Sequence, residues 1–159
     1  MNDYQYFSPF QPNQMNVSML VKKYLNEEMY LSDEYREKQN VSKMFSKYLA
    51  NENSYLFEIG TFDGVLMFLN VVSEYKASMD LKFWNKNLWK LSFARELRQF
   101  IGDFIDRFSL KRLETQTPDE EMAKVLKIAG FVNEGKFKYG FKFNENLKTL
   151  YQLRIIRGG

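Results

Sequence analysis

The chain has 159 residues, 45% of them hydrophobic and 17% aromatic, which is enough for one substantial core and too little to need two. It contains no cysteine and no histidine, which excludes disulfides, thiolate metal sites and the commonest metal ligand and general base. A metal site is therefore not expected, and any catalysis falls to carboxylates, hydroxyls, lysines, backbone groups or a cofactor. A net charge of +3 argues against nucleic acid as a partner, since domains that bind it carry a concentrated basic patch.

Residues 1–14, with Pro9, Pro12 and the aromatics Tyr4, Tyr6 and Phe7, read as an extended arm set before a single domain over 15–159. The start has no basic region followed by an apolar core, and no run is long enough to span a bilayer, so a cytoplasmic protein is expected. From Met15, the apolar set Val17, Leu20, Val21, Tyr24 and Leu25 recurs every three or four residues and predicts a helix with one buried face. The polar stretch 26–40 reads as loop or exposed helix. A second amphipathic helix follows through Val41, Met44, Phe45, Tyr48 and Leu49, with Asn40 or Ser42 available as its cap.

The runs Tyr55 to Ile59 and Val65 to Val72 flank a Gly-bounded turn and predict a hairpin whose second arm, almost wholly apolar, lies inside a sheet. Between Ser78 and Trp84, Met79, Leu81 and Phe83 alternate with Asp80 and Lys82 as in a half-buried strand. The clearest helix runs from Phe93 to Phe108, with Leu97, Phe100, Ile101, Phe104 and Ile105 on one stripe and Glu96, Asp103 and Arg107 facing away. Gly102 inside it costs about 1 kcal/mol relative to alanine, which predicts a tight contact of helix with sheet. A short strand over Arg112 to Gln116 leads into Thr117, Pro118, Asp119 and Glu120, a capping box for a helix that Gly130 ends. Finally, Phe137, Tyr139, Phe141 and Phe143 alternate with Lys136, Lys138 and Lys142, and a turn at 144–146 leads to a last strand through Leu153 and Ile155.

This order resembles the GNAT superfamily of acyl-CoA-dependent N-acyltransferases. The likeness is densest from Met79 to Phe143, where Arg112, Leu113, Glu114 and Thr115 precede a capped helix ending in Gly130 and Phe131. The resemblance implies an α/β fold, a mixed sheet of six or seven strands with about four helices, splayed between its fourth and fifth strands to admit acetyl-CoA. It also implies a diphosphate seat at the head of the long helix, with Lys86, Trp89, Lys90, Ser92 and Phe93 as cofactor-binding candidates. That segment has no glycine, and Leu88, Trp89 and Leu91 put bulk where the family keeps its backbone bare. The position matching a common tyrosine acid is Leu126, and Met122 stands where relatives acting on protein amino termini carry serine. Asp80 and Tyr139 are the candidate catalytic residues, with Glu58 as a further carboxylate on a suitable strand.

A narrower likeness joins Leu88, Trp89, Lys90, Leu91 and Ser92, the following helix and the closing hairpin ending at Gly158 and Gly159. These features are similar to the GNAT-like internal virion proteins of short-tailed phages. It implies a virion or host-cell location, virion or host proteins as partners, and a GNAT fold with degenerate acyl-CoA chemistry. The alternative is a working acetyl-CoA-dependent N-acyltransferase. Trp84 and Trp89 are read as packing where strand meets helix, the lysines 136, 138, 142 and 148 as a solvated strand face, and Tyr139 as a core ring with its hydroxyl at the rim.

Overall fold

The computed structural model describes residues 4–26, 38–143 and 145–158. Most of the predicted polar stretch, 27–37, and the turn residue Asn144 therefore lie outside the described residues, as does the final Gly159. In chain order the elements are β1 (Phe7–Pro9), α1 (Gln14–Asn26), α2 (Lys38–Ala50), β2 (Tyr55–Ile59), β3 (Gly64–Val72), β4 (Lys76–Phe83), α3 (Leu91–Phe108), β5 (Arg112–Thr117), α4 (Glu120–Ile128), β6 (Val132–Phe143) and β7 (Asn146–Ile156), with one 3-10 turn at Lys86–Leu88. The strands form one seven-stranded sheet in the order β1-β2-β3-β4-β5-β7-β6. Every neighbouring pair is antiparallel except β4 and β5.

Strand β3 shows why the sequence reads as it does. Val65, Leu66, Met67 and Phe68 are each 1% exposed or less. Leu66 and Phe68 join the core shared with α3 and α4, while Val65 and Met67 join the one shared with α1 and α2. A strand covered on both faces needs apolar residues at every position. In β4 the alternation holds, with Met79 and Leu81 buried on the α3 side. The stripe predicted on α3 is buried as expected, and Phe104 stacks on Phe68 with ring centroids 3.7 Å apart.

The arm is extended, as expected, and packs back: Phe7–Pro9 pairs with Phe57–Ile59 as the first edge of the sheet. Several expectations need correction. Glu96 does not simply face solvent, because its carboxylate accepts the N–H groups of Gln5 and Tyr6 at 2.7 and 2.6 Å, and Asp103 takes the Tyr4 hydroxyl. Helix α2 begins at Lys38, so Asn40 and Ser42 lie inside it rather than capping it. Thr117 is still strand, paired with Tyr151; its hydroxyl accepts the Asp119 N–H at 3.1 Å, and Asp119 caps α4 by accepting from Glu121 N–H at 3.0 Å. Gly102 is not in tight contact: a Cβ there would meet only the Arg157 guanidinium, at 3.9 Å.

The last hairpin departs most from expectation. Strand β5 ends its pairing at Thr117 and Tyr151, so the distal part of β6 and β7 runs on without a third strand, and the β6–β7 register shifts between Phe137 and Phe141. Phe137 is 50% exposed and Tyr139, at φ 59°, is 62% exposed. Neither is a core ring. Among the described residues no helix is long and apolar enough to cross a membrane.

Candidate active site

Parallel pairing of β4 with β5 lasts for three rungs: Lys76 with Arg112, Ala77 with Leu113 and Ser78 with Glu114. Beyond them the strands part toward their carboxyl ends. The next tie is a side chain, the buried Thr115 hydroxyl donating to the Met79 carbonyl at 2.8 Å. Above it opens a cleft of about 350 Å³ lined by Ser78, Met79, Asp80, Glu114, Thr115, Gln116 and Gln152. In the antiparallel β3–β4 ladder, alternate residues of β4 turn their peptide groups away from β3. Met79 does so, since its carbonyl is bonded on the β5 side, and Leu81, two residues on, turns its N–H and C=O the same way into the fork.

The cleft's polar wall belongs to the sheet face that α1 and α2 leave bare. Asp80 stands there, 3.5 Å from the Lys82 ammonium. Gln116 and Gln152 bond each other across β5 and β7 at 2.7 Å. Glu114 is held by Arg112 Nε at 2.8 Å, and Arg112 and Arg154 both reach Glu134 from neighbouring strands. The bond to Glu134, then that to Glu114, pushes the Arg112 guanidinium's pKa further up, and the same Arg112 bond pulls the Glu134 carboxyl below its ordinary value. On α1, Tyr24 is buried with no partner for its hydroxyl; burial first, and the Asp80 charge second, push its pKa well up. The cleft lining thus carries two carboxylates and no cation.

At the wide end of the fork lies the head of α3. The turn between β2 and β3 grips the connection that leads there: the Asp63 carbonyl accepts from Trp84 and Asn85 N–H, the Asp63 carboxylate from Asn85 Nδ2 at 3.0 Å, and the Phe62 carbonyl from the Trp84 indole. Gly64 is required at this junction, because a Cβ would come within 2.3 Å of the Lys82 carbonyl oxygen. Asn85 then caps the 3-10 turn, and α3 starts after Lys90 with no side-chain cap. The Ala94 N–H is the first to bond back, to the Lys90 carbonyl, which leaves those of Leu91, Ser92 and Phe93 at the open end.

Of the predicted cofactor residues, Lys86, Lys90 and Ser92 are exposed around this end, with the Ser92 hydroxyl 3.0 Å from that of Tyr6. Phe93 is a core residue, 1% exposed, so its side chain takes no part in such a seat. Trp89 leans back onto the core against Phe83, and its indole N–H is shut from solvent without an acceptor. Leu88 also packs on the core, whereas Leu91 is 58% exposed. The three bulky residues therefore do not form one plug over the helix head. Spare donors and two ammonium groups around an uncapped helix end suit a diphosphate.

Asp80 lies in the cleft, while Tyr139 sits out on the distal hairpin with Lys138 over its ring. Glu58 is on β2, with β3 between it and the fork. Leu126 is 1% exposed, a core side chain. Sequence reasoning passed over Glu114, Thr115, Gln116 and Gln152; the available signal was a short strand, Arg112 to Thr117, whose outward positions are all polar or charged.

No known family model matches the chain, and no curated protein matches it. Solved structures do. A spermidine N-acetyltransferase from Vibrio cholerae, in complex with CoA and spermine, aligns with a TM-score of 0.71 at 12% identity over 96% of each chain. The dodecameric spermidine N-acetyltransferase from Vibrio cholerae in an intermediate state gives 0.71 at 12% identity over 96% of this chain and 95% of that one. The spermidine/spermine N-acetyltransferase from Vibrio cholerae in complex with manganese ions gives 0.68 at 14% identity over 95% and 92%. Likeness at such identities shows the fold, and that fold is the GNAT acetyltransferase fold. The phage-protein resemblance gains nothing from it.

Proposed function

We propose that the chain is an acetyl-CoA-dependent N-acyltransferase acting on an amine. The observation that carries this reading is the cleft itself: a fork in the β4–β5 pairing, walled by carboxylates, with an uncapped helix head at its wide end. Acetyl-CoA would supply an activated acyl carbonyl as a thioester. The N–H groups of Leu91, Ser92 and Phe93, with Lys86 and Lys90, would hold its diphosphate, and the Leu81 peptide group would orient the amide-bearing arm. Asp80, in the cleft lining, would take a proton from the attacking amine, directly or through water, at a carboxylate oxygen. Glu114, fixed by Arg112, would hold a cationic acceptor in place. Leu126 of α4 is a core side chain with no proton to give, so a proton for the leaving group would come from water.

Calorimetric titration with acetyl-CoA tests the reading. Saturable binding is expected, weakened about tenfold when Lys86 and Lys90 are both changed to alanine, because each removes a charge close to the anion. With a primary amine as acceptor, Asp80→Asn should lower kcat by about 100-fold with the fold intact. Absence of any heat or melting shift at millimolar acetyl-CoA would sink the proposal. A second reading keeps the fold but not the chemistry, with the protein serving as a virion or host-interaction component. The buried Leu126 and the glycine-free helix head favour it.

A further inference from the structure

The fork between β4 and β5 must start somewhere, and the side chain at its vertex sets how deep the cleft runs. Main-chain pairing stops at Ser78 and Glu114. The Met79 carbonyl, the next acceptor on the β5 side, would be left unpaired in a buried setting, which costs free energy comparable to a lost hydrogen bond. Thr115 supplies the missing donor. Its residue is 4% exposed, its hydroxyl reaches Met79 O at 2.8 Å, and both residues line the cleft floor. On the other side, Thr115 is anchored by pairing with Leu153 of β7. The tie is thus a rigid clip rather than a mobile surface contact.

We infer that Thr115 is a specificity-determining residue, whose hydroxyl pins the vertex of the fork and limits the length of the acyl group the cleft accepts. The inference rests on the acyltransferase reading above. The diphosphate seat lies beyond Phe83 at the wide end, and Phe83 is four residue steps along the strand from Met79, about 13 Å at ~3.3 Å per residue. An acyl-CoA held by its diphosphate at the wide end directs its acyl end to the vertex, where the Thr115 to Met79 bond closes the way. Releasing the bond lets β4 and β5 part by a further rung, at Ser78 and Glu114, and lengthens the cleft while Asp80, further along β4, keeps its place.

The test compares the full chain carrying Thr115→Val, which keeps the shape but not the donor, with Thr115→Ser, which keeps the donor. Each is given acetyl-CoA and butyryl-CoA with the same amine, and the ratio of the two kcat/KM values is read. Thr115→Val should raise the butyryl to acetyl ratio by about tenfold, the scale of discrimination that one or two methylenes carry in a closed pocket. Thr115→Ser should keep the wild-type ratio. Should Thr115→Val not fold, Thr115→Ala serves as the donor-free variant with the same expectation. Amide hydrogen exchange gives a second reading free of any cofactor: the Glu114 amide, at the last rung of the β4–β5 ladder, should exchange faster in the donor-free variant and at the wild-type rate in Thr115→Ser. A wild-type protein that transfers acetyl groups while all variants share one ratio overturns the inference alone. So does unchanged exchange at the Glu114 amide in the donor-free variant. A wild-type protein that neither binds nor turns over either thioester overturns the acyltransferase reading and the acyl-length role with it, and the exchange data then report only whether the clip exists.

Discussion

Strand β3 and the distal β6–β7 hairpin are built from similar residues and end in opposite environments. Both are rich in large apolar side chains, but β3 is covered by helices on both faces, whereas the hairpin runs past the end of β5 and keeps Phe137 and Tyr139 in solvent. Lysines of the hairpin lie over its rings: Lys138 over Tyr139, Lys136 over Tyr151 and Lys148 over Phe143. Aromatic content therefore does not report burial. A covering layer does, and the layer is supplied by elements far away in sequence.

The sharpest way to break this comparison is to truncate one ring in each region. Phe68→Ala in β3 removes a fully buried side chain stacked on Phe104 and should cost about 3–5 kcal/mol, while Tyr139→Ala should stay within about 0.5 kcal/mol, both measured by urea unfolding. Comparable losses at the two sites would show that the hairpin is covered in solution. A smaller effect sharpens the contrast from α3, the helix that covers one face of β3. Gly102→Ala should stabilise the protein by about 1 kcal/mol, since the new methyl meets only ordinary contact with Arg157 and the helix interior gains propensity. A loss at that position would mean that α3 approaches its neighbours more closely than the 3.9 Å contact allows.

The smallest effect lies on the ion network that ties β5, β7 and the start of β6 together. The Glu134 carboxyl is held below its ordinary value of 4.5, first by the Arg112 hydrogen bond. A depressed folded-state pKa contributes stability that is present above the unfolded value and is lost as pH falls through the folded one. Glu134→Gln should therefore flatten the acid side of the stability curve below about pH 4.5 and move the neutral-pH midpoint little, as urea midpoints at pH 7 and pH 3 would show. An acid limb as steep as that of the wild type would place the sensitivity elsewhere.

The candidate site was legible in part. Asp80 could be marked because a charged residue alternating with Met79 and Leu81 has to lie on the opposite face of its strand, and the helix head could be marked because the apolar stripe of α3 begins sharply at Phe93. The partners that complete the cleft could not. Glu114, Thr115, Gln116 and Gln152 come from strands more than thirty residues away, and nothing in their local pattern says where the β4–β5 pairing stops. The expected crowding by Leu88, Trp89 and Leu91 resolves into two side chains packed on the core and one exposed at the helix start, a division the sequence could not give, since bulk is a property of composition and its direction is a property of packing.

By itself, the sequence determined the order of helices and strands, the doubly apolar β3, the stripe of α3 and the absence of thiol and imidazole chemistry, because periodicity and residue type act over a few neighbouring positions. Only the tertiary structure decided that the arm closes the first edge of the sheet, that Thr115 ties the fork at Met79, and that Phe137 and Tyr139 remain uncovered. Each of these depends on which distant backbone groups find partners and which faces find cover, and that is fixed when the chain packs as a whole.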